Sequence, residues 1–146
     1  DYMLKFYLNN KKYSYVTNNG FGVSDKRTVP YGLDVQIFKY KDLYANYKKS
    51  KKKDLKEHPS LYFYREGKKK YKLKNLKMPK KWSTNLDLRL TVDTQKDFKL
   101  IKKLYKKLSS KNNKFFSFEE VIKYMTKNKQ LLHINNKVKQ RRVDLN

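Results

Sequence analysis

Leu86-Asp87-Leu88-Arg89-Leu90-Thr91-Val92-Asp93-Thr94 is the stretch from which the fold is read. Leu86, Leu88, Leu90 and Val92 fall on one side of an extended chain, and Asp87, Arg89, Thr91 and Asp93 on the other. That period of two predicts a strand with one buried face. Thr94 follows as a helix cap, with Asp97 three residues on in the capping-box position, although Glu or Gln is the usual partner there. Phe98, Ile101, Leu104, Tyr105 and Leu108 then recur at helical spacing and give one apolar face. In open α/β sheets ligands gather beyond the carboxyl ends of strands, so a strand ending in a carboxylate before a capped helix draws attention as a site.

Towards the C-terminus, Ser117 and Glu120 form a second capping box, and Phe118, Val121, Ile122 and Met125 repeat at i, i+3, i+4 and i+7. The tail from Gln130 to Arg142 is expected to be helical at first and frayed at its basic end. Towards the N-terminus, Tyr2 to Leu8 reads as the end of a helix. Tyr13 to Thr17 reads as a short strand closed by Asn18-Asn19-Gly20, a turn signal. A polar loop from Ser24 to Tyr31 leads into Leu33, Val35 and Ile37, which alternate with Asp34 and Gln36 as a second strand. Asp42 is expected to cap a helix carrying Leu43, Tyr44 and Tyr47, with Lys48 to Lys53 as a solvated loop. Asp54 opens another helix through Glu57, His58 and Leu61 to Tyr64, with Pro59 tolerable only in a first turn. Tyr71, Leu73 and Leu76 suggest extended chain. Strands and helices in this mixed order predict an α/β fold. With no internal repeat and no shift in composition, residues 1–146 read as a single domain.

The 146 residues carry 38 Lys and Arg against 13 Asp and Glu, a formal net charge of +25. A strongly basic chain attracts polyanions, and an RNA- or polyanion-binding module is one reading of that charge. The charge is mostly lysine, however, whereas base reading favours arginine, and it runs from Lys5 to Lys139 without forming a stripe. A coding bias towards Lys, Asn, Tyr and Phe fits that distribution better. An anionic small substrate fits it equally well. The first residue is Asp1, which suggests a fragment or a processed product. No run approaches the ~18 apolar residues of a membrane helix, and no basic-then-apolar leader opens the chain. A cytoplasmic protein is the expectation. There is no cysteine, hence no disulfide frame and no thiolate chemistry.

Asp93, at the end of the first strand considered, is placed to hold Mg²⁺ through oxygen ligands, or else simply to accept hydrogen bonds in the turn to the helix. Arg89 and Thr91 share its face and either line a groove for an anion or cover the sheet. Asp97 reads as a cap partner. Asp34 is either paired structurally or directed into a pocket. His58 and His133 stand too far apart for metal spacing. Neither a phosphate-binding glycine loop nor a G-x-S-x-G nucleophile is present. Trp82, in a Lys-rich stretch after Pro79, either stacks on a base or anchors a loop.

Two stretches taken together resemble a known family. Residues 27–38, R-T-V-P-Y-G-L-D-V-Q-I-F, resemble the R…P-x-G-L-D-V-E-V-F segment of cytidylyltransferases of the spore-coat-polysaccharide type. Residues 88–101, L-R-L-T-V-D-T-Q-K-D-F-K-L-I, resemble that family's L-R-L-T-V-D-T-x-E-D-F-x-L-I. Glu57-His58 falls where the family carries R-E-H-V-T-P, and F-S-F-E-E-V-I with the later I-N-N-K-V-K-Q is similar to its ending. The resemblance spans nearly the whole chain, and its specificity lies in the joint order of these segments.

The resemblance implies a partial Rossmann-like nucleotidyltransferase sheet flanked by helices, related to the enzymes that activate 3-deoxy-manno-octulosonate and acylneuraminates. It implies a reaction in which an acidic sugar attacks CTP to give a CMP-sugar and pyrophosphate with Mg²⁺, and a homodimer as the assembly. By position, Asp93 matches the family's metal-binding aspartate. Asp34 and Gln36 match the segment facing the sugar, and Arg27, Glu57 and His58 fall near the sugar pocket or the dimer contact. No residue matches a catalytic role. Gln36 replaces the usual Glu, and the family's N-terminal CTP-binding strands and central aspartate have no counterpart. This chain alone is therefore expected to be the sugar-binding and dimer-forming half, with the N-terminal half on a separate or longer chain. A non-catalytic, degenerate descendant is the alternative within the same family.

Overall fold

Three-residue strands have little ladder of their own and persist only where aromatic packing surrounds them. The computed structural model, which describes residues 2–22, 27–110 and 113–139, shows this arrangement in the first of two compact units. That unit takes in residues 2–22, Arg27 and Val35–Lys77; the second takes in Thr28–Asp34 and the described residues from Met78 to Lys139. Asp1, the start of the 24–31 loop and the basic end of the tail beyond Lys139 lie outside the described residues.

In the first unit, α1 (Tyr2–Asn9) precedes β1 (Tyr15–Thr17), whose three residues are all buried. β1 is the middle strand of a three-stranded mixed sheet. It runs antiparallel to β2 (Gln36–Phe38), with Val16 opposite Ile37, and parallel to β3 (Leu73–Asn75), with Val16 opposite Lys74. The core is aromatic: Tyr15, Phe63 and Tyr71 are buried, with Phe21, Phe38, Leu43 and Leu73 against them. Ring centroids lie 5.0 Å apart for Tyr15 and Phe63 and 4.7 Å for Phe63 and Tyr71, within the range of favourable ring contacts.

The second strand is shorter than its alternation predicts. Its ladder stops short of Val35, whose N–H is taken by the Asn18 side chain and whose carbonyl accepts from the Thr17 hydroxyl, in place of ladder partners; the Val35 side chain is exposed. The helix predicted from Asp42 begins earlier: α2 (Tyr40–Lys49) has Lys39 at its cap and Asp42 inside its first turn, where a carboxylate favours the helix dipole. The continuous helix expected from Asp54 to Tyr64 is broken in two. α3 (Lys53–Glu57) ends at His58, and a 3₁₀ turn (Pro59–Phe63) follows with Pro59 in its first turn. Proline disfavours α conformation in the residue before it, and His58 has φ −128° and ψ 68°.

In the second unit, α4 (Gln95–Leu108) and α5 (Phe118–Lys127) carry the two expected capping boxes, each complete in both directions. Leu88, Leu100, Leu104, Val121 and Met125 are buried together, with Leu86, Leu90, Ile101, Ile122 and Phe116 packed around them. Two 3₁₀ turns, Lys80–Trp82 and Lys129–Ile134, complete the unit. The strand predicted over 86–93 is realised only as extended chain with a single parallel bridge, Arg89 to Tyr31. Its apolar side is used as the alternation predicts for Leu86, Leu88 and Leu90, but Val92 is 58% exposed. The available partner segment is short and interrupted by Pro30 and Gly32, so no ladder propagates. The chain is thus mixed α/β, with a small three-stranded mixed sheet and helices.

Candidate functional site around Asp93

Arg89 sits on the polar side of the extended segment, yet it is only 7% exposed. A guanidinium taken out of water needs nearly all its donors engaged. Its Nε donates to Asp97 Oδ1 at 2.9 Å, and its Nη2 donates to Asp97 Oδ2 at 3.3 Å and to Asp93 Oδ2 at 2.8 Å. Asp93 lies just before the cap Thr94 and Asp97 in the first turn of α4, four and eight residues after Arg89, so the bend into the helix brings both carboxylates to the guanidinium.

Asp97 is fully buried. Its carboxylate accepts from the backbone N–H of Asp93 (3.2 Å) and of Thr94 (3.1 Å), and from the Asn135 amide at 2.8 Å. Burial pushes its acidity down, but the bonds from Arg89, Asn135 and Thr94 and the charge of Arg89 outweigh that, holding the carboxyl well below the usual carboxylate range. Asn135 is itself buried and also donates to the Arg89 carbonyl at 3.0 Å. Asp93, by contrast, has a side chain 61% exposed and presents a carboxylate anchored on one oxygen.

Behind this cluster the segments that carry the two quoted motifs touch. The Leu90 N–H donates to the Tyr31 carbonyl at 2.8 Å. Gly32, at φ +98°, lies so close that a Cβ there would stand 2.5 Å from the Leu90 oxygen and 2.8 Å from the Thr91 nitrogen. Only glycine combines that backbone angle with that approach.

The other residues singled out in the sequence are distributed as follows. Asp34 is exposed and belongs to the same unit as Arg89 and Asp93. Arg27, Gln36, Glu57 and His58 belong to the other unit. There His58 Nε2 lies 3.7 Å from Glu57 Oε1, both side chains exposed, and Gln36 is exposed opposite Thr17. Asp97 and Asn135 were not singled out as site residues. The capping-box spacing points to Asp97 but only as a cap, and Asn135, though within the quoted I-N-N-K-V-K-Q segment, carries no periodic or spacing signal of its own and meets Asp97 from 38 residues away.

Among known proteins, the chain is 31% identical over 134 residues to the uncharacterized protein MJ1063 of Methanocaldococcus jannaschii, an alignment covering 92% of this chain and 53% of that protein. The chain thus spans about half the length of that relative. No family model matches the chain, and no solved structure matches it significantly. Among the described residues there is no group of three or more His, Cys, Asp or Glu side chains arranged to hold a metal, and no helix is long and apolar enough to cross a membrane.

Proposed function

We propose that this chain is the sugar-binding and dimer-forming part of a cytidylyltransferase that joins an acidic sugar to CMP. The supporting observation is that the two stretches resembling that family, some sixty residues apart, are in contact through Tyr31, Gly32, Arg89 and Leu90, with the exposed Asp93 carboxylate at the end of the second. In the reaction a sugar hydroxyl oxygen bonds to the α-phosphorus of CTP, the bond to the pyrophosphate oxygen breaks, and the hydroxyl proton is lost. Positioning and neutralisation of charge carry such transfers. A Rossmann-like surrounding sheet, a cytoplasmic setting and a homodimer belong to this reading.

The residues fit Mg²⁺ in one mode. Mg²⁺ is commonly held by one or two carboxylates together with substrate phosphates and water, and a single exposed, oriented carboxylate is what Asp93 supplies. Bound there, the ion would supply neutralisation of triphosphate charge. Arg89, with its donors turned to Asp97 and Asp93, orients Asp93 and is less suited to grasp the sugar directly. Asp34 is an exposed acidic group of the same unit, assigned in this reading to the sugar side.

Pyrophosphate release from the 146-residue chain with CTP and a panel of 3-deoxy acidic sugars is expected to be absent, and release would show that the chain suffices alone. The affirmative test is thermal. Mg²⁺ with a CMP-sugar should raise the melting temperature, and Asp93→Asn should abolish the rise. No rise with any CMP-sugar, alongside micromolar, steeply salt-dependent oligonucleotide binding, would replace this reading with that of a basic RNA-binding module.

A further inference from the structure

A chain of net charge +25 is a poor host for a divalent cation, and a carboxylate bonded to arginine is a poorer one still. The cluster around Asp93 answers both difficulties. The Asp97 carboxylate accepts five hydrogen bonds, two from Arg89, one from Asn135 and two from backbone N–H groups. With Asp97 bonded through both oxygens to Arg89, the single positive charge of that arginine is already matched by a buried negative one. Arg89 then reaches Asp93 as a hydrogen-bond donor more than as a counter-charge, and the three ionised groups together keep one negative charge, exposed at Asp93.

Asn135 makes the arrangement rigid. Its amide bridges the Arg89 carbonyl and Asp97 Oδ1, so the backbone and the side chain of the same buried pair are pinned by one residue. A carboxamide suits this place because it donates both hydrogens without adding charge. Hydroxyl or amine side chains would lack one of those properties.

We infer that Asp97 and Asn135 are positioning residues for Asp93: Asp97 holds and neutralises Arg89 so that Asp93 keeps a net negative charge for a divalent cation, and Asn135 locks that pair in place. The inference rests on the reading of Asp93 as a metal-binding carboxylate, and it goes beyond that reading by assigning roles to two residues that would not touch the ion or the substrate.

The test uses Mn²⁺ as the probe, with paramagnetic broadening of amide resonances near residue 93 and the Arg89 Nε–H resonance as separate readouts. In the unaltered chain, broadening should centre on residues 92–94 and the Nε–H should exchange slowly. Asp97→Asn leaves Arg89 to cancel Asp93 and should weaken Mn²⁺ binding roughly tenfold or more. The double variant Arg89→Gln with Asp97→Asn removes one charge of each sign and should recover most of that affinity, which a purely structural role for Asp97 would not produce. Asn135→Ala keeps every charge and should speed exchange of the Arg89 Nε–H while weakening Mn²⁺ only a few-fold.

The inference is overturned if Asp97→Asn binds Mn²⁺ like the unaltered chain, or if the double variant is no better than the single one. Should Asp97→Asn fail to fold, the double variant and Asn135→Ala decide the matter, and an Nε–H unchanged in Asn135→Ala overturns the positioning role. Absence of any broadening near residue 93 in the unaltered chain would instead sink the metal reading of Asp93, and the Nε–H comparison alone would then judge the positioning claim.

Discussion

Replacing Gly32 with alanine puts a methyl group where the chain has no room for it. The Cβ would stand 2.5 Å from the Leu90 carbonyl oxygen, 2.6 Å from its carbon and 2.8 Å from the Thr91 nitrogen, all backbone atoms that cannot swing aside as a side chain can. Adopting φ +98° costs an L-residue about 1–2 kcal/mol by itself. Relieving the clash requires the two segments to part, which removes the Leu90 to Tyr31 hydrogen bond and adds about 1 kcal/mol. Drawing Leu90 off the core that holds Leu88 and Leu100 adds a further share, for a total of roughly 3 kcal/mol or more. For a unit of this size that corresponds to a fall in melting temperature of roughly 12 °C or more. Scanning calorimetry and urea unfolding would measure it. Gly22 provides an internal control, since at φ +83° nothing among the described residues lies within 4 Å of its Cβ position, and Gly22→Ala should lose only the conformational part, about 1–2 kcal/mol. If Gly32→Ala melted within a few degrees of the unaltered chain, or no lower than Gly22→Ala, the close contact between the two motif segments would be refuted.

Three further outcomes are expected. Asp97→Ala removes the buried carboxylate partner of Arg89 and should cost about 3–5 kcal/mol, and a double-mutant cycle with Arg89→Ala should show strong coupling. The Asp97 carboxyl is held below its unfolded value, so its contribution is fully present above that value and lost as pH falls through and below the ordinary carboxylate range. The stability difference between the unaltered chain and Asp97→Asn, followed by urea unfolding, should therefore shrink steadily from about pH 5 downwards, and a difference independent of pH would contradict the assignment. Leu100→Ala, at a fully buried position on α4, should cost about 2–5 kcal/mol, read from the urea midpoint, while Phe98→Ala on the exposed side of the same helix should cost far less.

The sequence by itself determined the helices of the second unit. Their capping boxes are local signals, and α4 and α5 start where Thr94 and Ser117 place them, but the face of α4 that packs inward is centred on Leu100 and Leu104, leaving Phe98 and Tyr105 of the expected apolar face exposed. It also marked Asp93 as the carboxylate at the head of α4, since that depends only on the order of residues along the chain. Strand extents were not legible in the same way, because a strand exists only where a partner supplies hydrogen bonds. Thus 86–93 alternates well but meets only Tyr31, and Val35 gives its backbone groups to Asn18 and Thr17. Nor was the setting of Arg89 legible. Its position on the polar side of an alternating segment suggested an outward-facing group, and only the packed structure turns it inward onto Asp97 and brings Asn135 to close the cluster. Electrostatic partners separated by 38 residues leave no periodic trace, so tertiary structure alone decided which charges are buried together and which one remains exposed at Asp93.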